Sequence, residues 1–297
     1  MIASDPARAS MRSFDYQRPA TLADAVDLLE RHGPDAQILA GGTDLVIGLR
    51  DRTIVPSVVI DLKRIPELRP AIREESGWLS ISAGTTMSQI SAHPAVRQHF
   101  MALVEAADVV GSVQIRNRAT LAGNICNASP AADTAPPLLV FRGRVLAHGR
   151  AGERRIPINE FFVRSRETTL RRGELVRAIQ LAMPPEPIGA AYLRLTRRHG
   201  TDLASITLCC GVERSGVTRL AYGSVGPKPL LFTDESGALA DPGASEDAKL
   251  AILEGMLAAA SPSPRSVRAS PEYRLAMLRV LALRGLRAAV ERLGGAA

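Results

Sequence analysis

Cysteine, lysine and aromatic side chains are scarce in this chain, and long apolar runs are missing. Its three cysteines among 297 residues, Cys126 and the adjacent Cys209 and Cys210, offer no CxxC spacing and no disulfide framework. Neither a zinc site nor an iron–sulfur cluster can be built from such a set. Five histidines, His32, His93, His99, His148 and His199, are scattered without a ligand-like pair, so no metal site is expected. The apolar stretches Ile54 to Ile60 and Leu138 to Phe141 fall far short of the roughly 20 residues a membrane helix needs, and no membrane span is expected. The first ten residues hold Asp5 and Arg8 and no apolar stretch, so the chain is expected to carry no secretory leader and to work in the cytoplasm.

What remains is ordinary for a globular protein: 46% hydrophobic residues, in a chain long enough for about two domains. The net charge is +7, and of 37 basic residues only Lys63, Lys228 and Lys249 are lysines. From Pro262 onward seven arginines face only Glu272 and Glu291. No aromatic interleaving or nucleic-acid motif accompanies this basic end, so no nucleic acid is expected as a partner, and the tail reads as a solvated or partner-facing helix.

Along the chain, Leu22, Val26 and Leu29 share one helical face, Thr21 caps the segment and Gly33-Pro34 ends it. Gln37 to Ala40 then reads as a buried strand, Leu45 to Arg50 as a helical turn and Ser57 to Asp61 as a second strand. Strand, glycine turn, helix, strand demands a parallel pair, which makes residues 12–66 a small α/β unit. The next unit, 67–186, is mixed: strands at Trp78–Ala83, Arg144–His148 and Leu175–Leu181, a helix capped by Thr86, and another from His99 to Val109. The proline-rich Met183 to Pro187 is the expected boundary, giving domains at 12–186 and 187–297. Beyond it Ala190–Arg198, Ala204–Arg214 and Val217–Val225 have the spacing of three antiparallel strands. Ser245 and Ser270-Pro271-Glu272 launch two helices.

Two loops carry the chemistry. In Ala40-Gly41-Gly42-Thr43-Asp44-Leu45, at the end of a buried strand, two glycines expose backbone amides and the following helix presents its N-terminus, a seat for phosphate. The loop matches neither Gly-x-Gly-x-x-Gly nor the Gly-x-x-x-x-Gly-Lys-Ser/Thr pattern, so a Rossmann or P-loop fold is not indicated. The second loop follows Arg116-Asn117-Arg118 and gathers Thr120, Gly123, Asn124, Asn127, Ser129 and Asp133 within a stretch that lacks ordinary helix or strand character. It suits a polar cofactor, or else a surface loop whose polar groups bond one another.

The run from Ser112 through Asp133 to Leu139, together with Ala40-Gly41-Gly42-Thr43-Asp44, resembles the FAD-binding medium subunit of the xanthine dehydrogenase and carbon monoxide dehydrogenase family of molybdenum hydroxylases. Tyr192 to Arg198 with Asp202-Leu203-Ala204, and Ser270 to Arg274, resemble that family's C-terminal domain. The resemblance implies an α+β protein: a two-subdomain, non-Rossmann FAD-binding domain of the vanillyl-alcohol-oxidase type, followed by a three-stranded antiparallel sheet with helices. It implies that Gly41, Gly42 and Thr43 cradle the pyrophosphate, with Ala40, Asp44 and Leu45 beside them among the cofactor-binding residues. Thr120, Gly123, Asn124 and Asn127 would line the diphosphate and ribityl part, with Ala122 among the cofactor-binding residues, Asp133 would anchor a polar group of the cofactor, and Arg194 falls where a lysine is common in the family. Alanine replaces a usual glycine at Ala119 and Ala122, and Val163 to Thr168 stands in place of a glycine-containing segment. No histidine lies between residues 33 and 92, so FAD is expected to be held without a covalent link.

By the same resemblance the chain is an electron-transfer subunit with no catalytic residue for substrate of its own. A large partner would hold the molybdenum cofactor and a small one two 2Fe-2S clusters, assembled as a dimer of heterotrimers. The rival reading is a free-standing flavin oxidase or dehydrogenase that binds its own small substrate, for which only Arg194, Arg197 and Arg198 offer groups.

Overall fold

The computed structural model describes residues 11–198 and 200–295; the reading of the first ten residues, and His199, lie outside them. The first helix, Leu22–His32, forms as its sequence dictates. The Thr21 hydroxyl accepts the Asp24 amide at 3.1 Å, Leu22, Ala25, Val26 and Leu29 are buried, and Gly33 leaves the helix at φ +53°. Strands Ala36–Leu39 and Val58–Asp61 pair in parallel across the short helix Leu45–Arg50, as the crossover requires. Asp15–Gln17 adds a third parallel strand on the other side of Val58–Asp61. All three of its residues are exposed, so it carries no alternation to read. It is held by the Tyr16 hydroxyl, which donates to Asp61, a buried carboxylate also paired with Lys63 at 2.7 Å.

The second unit is a five-stranded antiparallel sheet in the order Ile72–Glu75, Trp78–Ser82, Leu175–Ala182, Arg144–Gly149, Gly152–Pro157. A run of short helices covers it, from Met87–Ala92 to Ala135–Val140. Two expectations are corrected here. The helix expected from His99 to Val109 is interrupted at Phe100, where Pro94–His99 ends and Met101–Asp108 begins. Phe100 is fully buried edge-on against Phe141, at 5.1 Å between ring centres, and burying that ring takes its backbone out of helical geometry (φ −135°). The second loop, expected to lack regular structure, contains the helices Val113–Arg116 and Leu121–Cys126. Each is only four or six residues long, too short to show a 3.6-residue pattern. Val163 to Thr168, unassigned from sequence, is a small hairpin of Phe162–Arg164 and Glu167–Thr168.

The C-terminal sheet has four antiparallel strands where three were expected: Gly189–Leu195, Ile206–Val212, Thr218–Gly223 and Leu230–Asp234. The added strand is a half-buried edge preceded by Pro227 and Pro229, which reads as a breaker rather than a strand. Alternation along the second strand sends Cys209 into the core shared with the first two units and Cys210 toward the C-terminal helices, so the adjacent thiols enter different cores. Glu246–Leu257 and Pro271–Gly294 cover that second face, the latter burying Leu278, Leu281, Ala282, Leu286 and Ala289. The arginine-rich end is less solvated than its composition suggests. Arg274 is buried and donates to the Ser224 carbonyl at 2.8 Å, Arg292 donates to the Ala190 carbonyl at 2.6 Å, and Arg279 and Arg287 pair with Glu254 and Glu246.

Among the described residues no helix is long and apolar enough to cross a membrane, and no three metal-ligating side chains cluster.

Candidate functional site

Ala40–Leu45 leaves the end of the parallel strand Ala36–Leu39 and enters the helix Leu45–Arg50. Gly42 has φ +80°, which an L residue rarely adopts, and a Cβ there would lie 2.8 Å from Leu39 Cδ1. The amides of Thr43 and Asp44 lie in the turn that opens the helix, where no preceding carbonyl is available to them. The Asp44 carboxylate caps nothing, and the Thr43 hydroxyl has no partner among the described residues. Leu45 turns inward onto Leu49 and Val59, anchoring the turn from below.

The second loop is built differently. The Thr120 hydroxyl caps the helix Leu121–Cys126 by accepting the Gly123 amide at 3.0 Å. Thr134, fully buried, donates to Asn124 Oδ1 at 2.6 Å, and the Ser129 hydroxyl accepts the Ala131 amide at 3.2 Å. Ala122 is 5% exposed, so its methyl packs into the core. Asn127 is exposed at the helix end with its side chain unbonded among the described residues. Ala128 follows at φ +46°, and its carbonyl accepts the Arg166 amide at 3.2 Å, which ties the small hairpin to this loop.

The fold brings the two loops together. A Cβ on Gly41 would collide with the carbonyl oxygen of Arg118, so the first loop lies directly on the residues that lead into the second. The segment Thr85 to Ser88, read from sequence only as a helix start capped by Thr86, also holds the second loop. The Met87 amide donates to the Ala119 carbonyl at 2.9 Å, the Leu121 amide to the Thr85 carbonyl at 3.3 Å, and the Ser88 hydroxyl to Asn117 Oδ1 at 2.7 Å. Beside Gly123 the space is open: a Cβ would meet only the Thr120 hydroxyl, at 3.0 Å. Bare backbone in both loops, unbonded Thr43, Asp44 and Asn127 side chains and a helix-opening turn suit a cofactor with a pyrophosphate and a polyol chain.

Asp133 and Arg194 meet at the junction of the second loop with the C-terminal sheet. Asp133 Oδ1 accepts from the Tyr192 hydroxyl at 2.6 Å and from Arg194 Nη1 at 3.3 Å. Arg194 also donates to the carbonyls of Val109, Gly200 and Asp202. Burial raises Asp133 above the ordinary carboxylate value, outweighing the pull of Tyr192 and Arg194 in the other direction. Burial likewise lifts the Tyr192 hydroxyl well above its usual value, with the Asp133 charge adding to it. Tyr192 entered the sequence reading only as part of the C-terminal resemblance and not as a site residue, yet it stands two residues before Arg194 on one strand and therefore on the same face. Glu105, also unread, accepts the Tyr192 amide at 2.9 Å and Arg292 at 2.5 Å, fastening the C-terminal helix to the second unit. Arg197 and Arg198 both turn to the Asp202 carboxylate, at 3.6 and 3.7 Å. Desolvation pushes the Cys126 thiol up to about 12, far from a thiolate at neutral pH.

Residues 12–184 match the family described as the FAD binding domain in molybdopterin dehydrogenase, and residues 191–289 match the CO dehydrogenase flavoprotein C-terminal domain. The chain therefore belongs to the FAD-binding subunits of the molybdenum hydroxylase family, and it is an FAD-binding flavoprotein component of an oxidoreductase. It is 32% identical over 287 residues to a xanthine dehydrogenase FAD-binding subunit of Escherichia coli O157:H7, covering 94% of this chain and 97% of that protein. It is 31% identical over 280 residues to the carbon monoxide dehydrogenase medium chain of Hydrogenophaga pseudoflava, covering 93% and 96%. Among solved structures it superposes with TM-score 0.87 and 30% identity on a chain of the carbon monoxide dehydrogenase of Hydrogenophaga pseudoflava that lacks the Mo-pyranopterin moiety of its cofactor, covering 95% and 99%.

Proposed function

We propose that this chain carries FAD as the electron-transfer subunit of a molybdenum-containing dehydrogenase, taking electrons from 2Fe-2S clusters on a small partner and passing them to an external acceptor. In this reading residues 12–186 hold the cofactor and 187–297 form the C-terminal domain that closes over it. A large partner carries the molybdenum cofactor and the substrate, and the assembly is a dimer of heterotrimers in the cytoplasm, where the three unpaired thiols stay reduced. The observation that carries the proposal is the interlock of Gly41 with Arg118, which sets the two glycine-containing loops side by side.

Bound there, FAD supplies exchange of one electron at a time on one side and two on the other. The chain's own part is positioning. The amides of Gly41 to Leu45 receive the pyrophosphate, while Thr43, Asn124 through its free amide, and Asn127 direct hydrogen bonds to the diphosphate and ribityl oxygens. Gly123, beside the space a side chain would fill, and Ala122 let the backbone approach. Asp133 and Arg194 set the charge at the domain junction, where either protonation of the carboxyl or the guanidinium favours added negative charge nearby. Binding is non-covalent, in keeping with a Cys126 thiol that stays protonated.

A free-standing flavin oxidase would need side chains for its own substrate. The candidates were Arg194, Arg197 and Arg198, and all three are held by Asp133 or Asp202. To test the proposal, the chain is tagged in its native host and purified with its companions. Flavin absorption superposed on broad iron–sulfur absorption, with two further chains, is the expected result. Flavin bands from a single chain would transfer the assignment to the free-standing enzyme.

A further inference from the structure

Between the tip of the second loop and the C-terminal domain lies a cavity of about 500 Å³. Pro130 forms part of one wall and its carbonyl accepts the Ser224 amide at 2.6 Å, so the cavity is framed from both halves of the chain. The opposite wall is the segment Ser261 to Arg274, and it brings in Arg265, Arg268 and Arg274. No carboxylate lines the cavity, and none pairs with these three arginines among the described residues.

Arg274 is the informative member. It is 4% exposed, Nη1 donates to the Ser224 carbonyl at 2.8 Å and Nη2 to the Ser266 hydroxyl, but Nε is buried without any partner. A buried guanidinium with no counter-charge is costly unless an anion supplies one. Burial and the nearby Arg268 charge both press against its positive form. Two serine turns present the other cations: the Ser263 hydroxyl accepts the Arg265 amide at 3.2 Å and the Ser266 hydroxyl the Arg268 amide at 3.3 Å.

We propose that this cavity binds a phosphate group, taken up by Arg274 together with Arg265 and Arg268. Several guanidinium and hydroxyl donors converging without an acid match a tetrahedral oxyanion, and Arg is the residue best shaped to hold one. The volume exceeds what a lone phosphate fills, which favours a small phosphorylated molecule over the free ion. Because Pro130 and the arginine segment belong to different halves, an occupant ties the flavin-side loop to the C-terminal domain. The site goes beyond the electron-transfer reading and does not depend on it.

The test is calorimetric titration of the full chain, saturated with FAD so that the flavin's own phosphates are accounted for. The probes are inorganic phosphate, AMP, and adenosine as the uncharged control, all at constant ionic strength. Expected is saturable binding of phosphate, AMP or both and none of adenosine. AMP binding tighter than phosphate identifies a phosphorylated molecule as the natural occupant, and equal affinities identify the free ion. Arg265→Gln with Arg268→Gln, both outside the buried core, weakens binding by about tenfold or more while flavin content and thermal midpoint stay unchanged. No saturable heat from either anion, or an affinity indifferent to the double substitution, overturns the proposal.

Discussion

In the Ala40–Leu45 loop the polar side chains are left unbonded, whereas in the Thr120–Asp133 loop nearly every one is engaged by protein. Thr43 and Asp44 touch no partner among the described residues. Thr120 caps a helix, Asn124 accepts a hydrogen bond from the Thr134 hydroxyl, Ser129 braces a turn and Asp133 holds Tyr192 and Arg194. Both loops combine glycine, threonine and aspartate, and they divide the work. The first leaves its polar side chains unpaired, and the second uses most of its donors and acceptors to hold a conformation and to dock the C-terminal sheet. Polar density in a loop therefore does not by itself leave groups free for a ligand; the fold decides which of them stay unpaired.

That division is open to breakage, most severely where the loops touch. Gly41→Ala places a methyl against the Arg118 carbonyl, so one loop must move off the other. Overpacking of this kind costs about 1–3 kcal/mol, and flavin affinity is expected to fall by about two orders of magnitude. Flavin fluorescence titration and urea unfolding read the two effects. Thr120→Ala removes a cap and its Gly123 bond; the expected loss is about 1–2 kcal/mol of stability, with flavin affinity reduced as a consequence of a loosened helix. Thr43→Ala gives the contrasting result. Stability should change by less than about 0.5 kcal/mol, while FAD binding weakens by about tenfold or more, the effect of one hydrogen bond to a charged oxygen. Equal stability losses in the Thr43 and Thr120 variants would erase the distinction between the loops.

The smallest effect is one of pH. An unfolded aspartate titrates near about 3.9, and burial raises Asp133 above that value in the fold. Between the two values the folded chain holds a proton that the unfolded chain has released. The stability this contributes is present below the ordinary carboxylate value and is lost as pH rises through the raised one. Asp133→Asn should flatten this part of the thermal midpoint's pH profile. A profile unchanged by the substitution would mean that Asp133 does not titrate differently in the folded chain.

Local patterns made much of this legible in the sequence. The Thr21 cap, the parallel crossover around Gly41-Gly42 and the Ser270-Pro271-Glu272 helix start are each decided by neighbouring residues, and each stands where the pattern put it. What stayed hidden depends on distant partners or on very short elements. Asp15–Gln17 and Leu230–Asp234 are edge strands defined by the strand beside them. Leu121–Cys126 is a six-residue helix containing Gly123 and Asn124, both poor helix formers, and it persists because Thr120 caps it and Leu121 and Ile125 are buried. For the site, the residue types of both loops were readable. The partners of Asp133 were not, because Tyr192 and Arg194 lie about sixty residues further along the chain.

The most direct test of the account is the absorption spectrum of the purified full chain after incubation with FAD and removal of excess, followed by acid release and identification of the flavin. The account predicts flavin bands in stoichiometric amount, released intact as FAD by acid and lost in Gly41→Ala. A colourless protein, or a flavin that stays attached to the denatured chain, would contradict it.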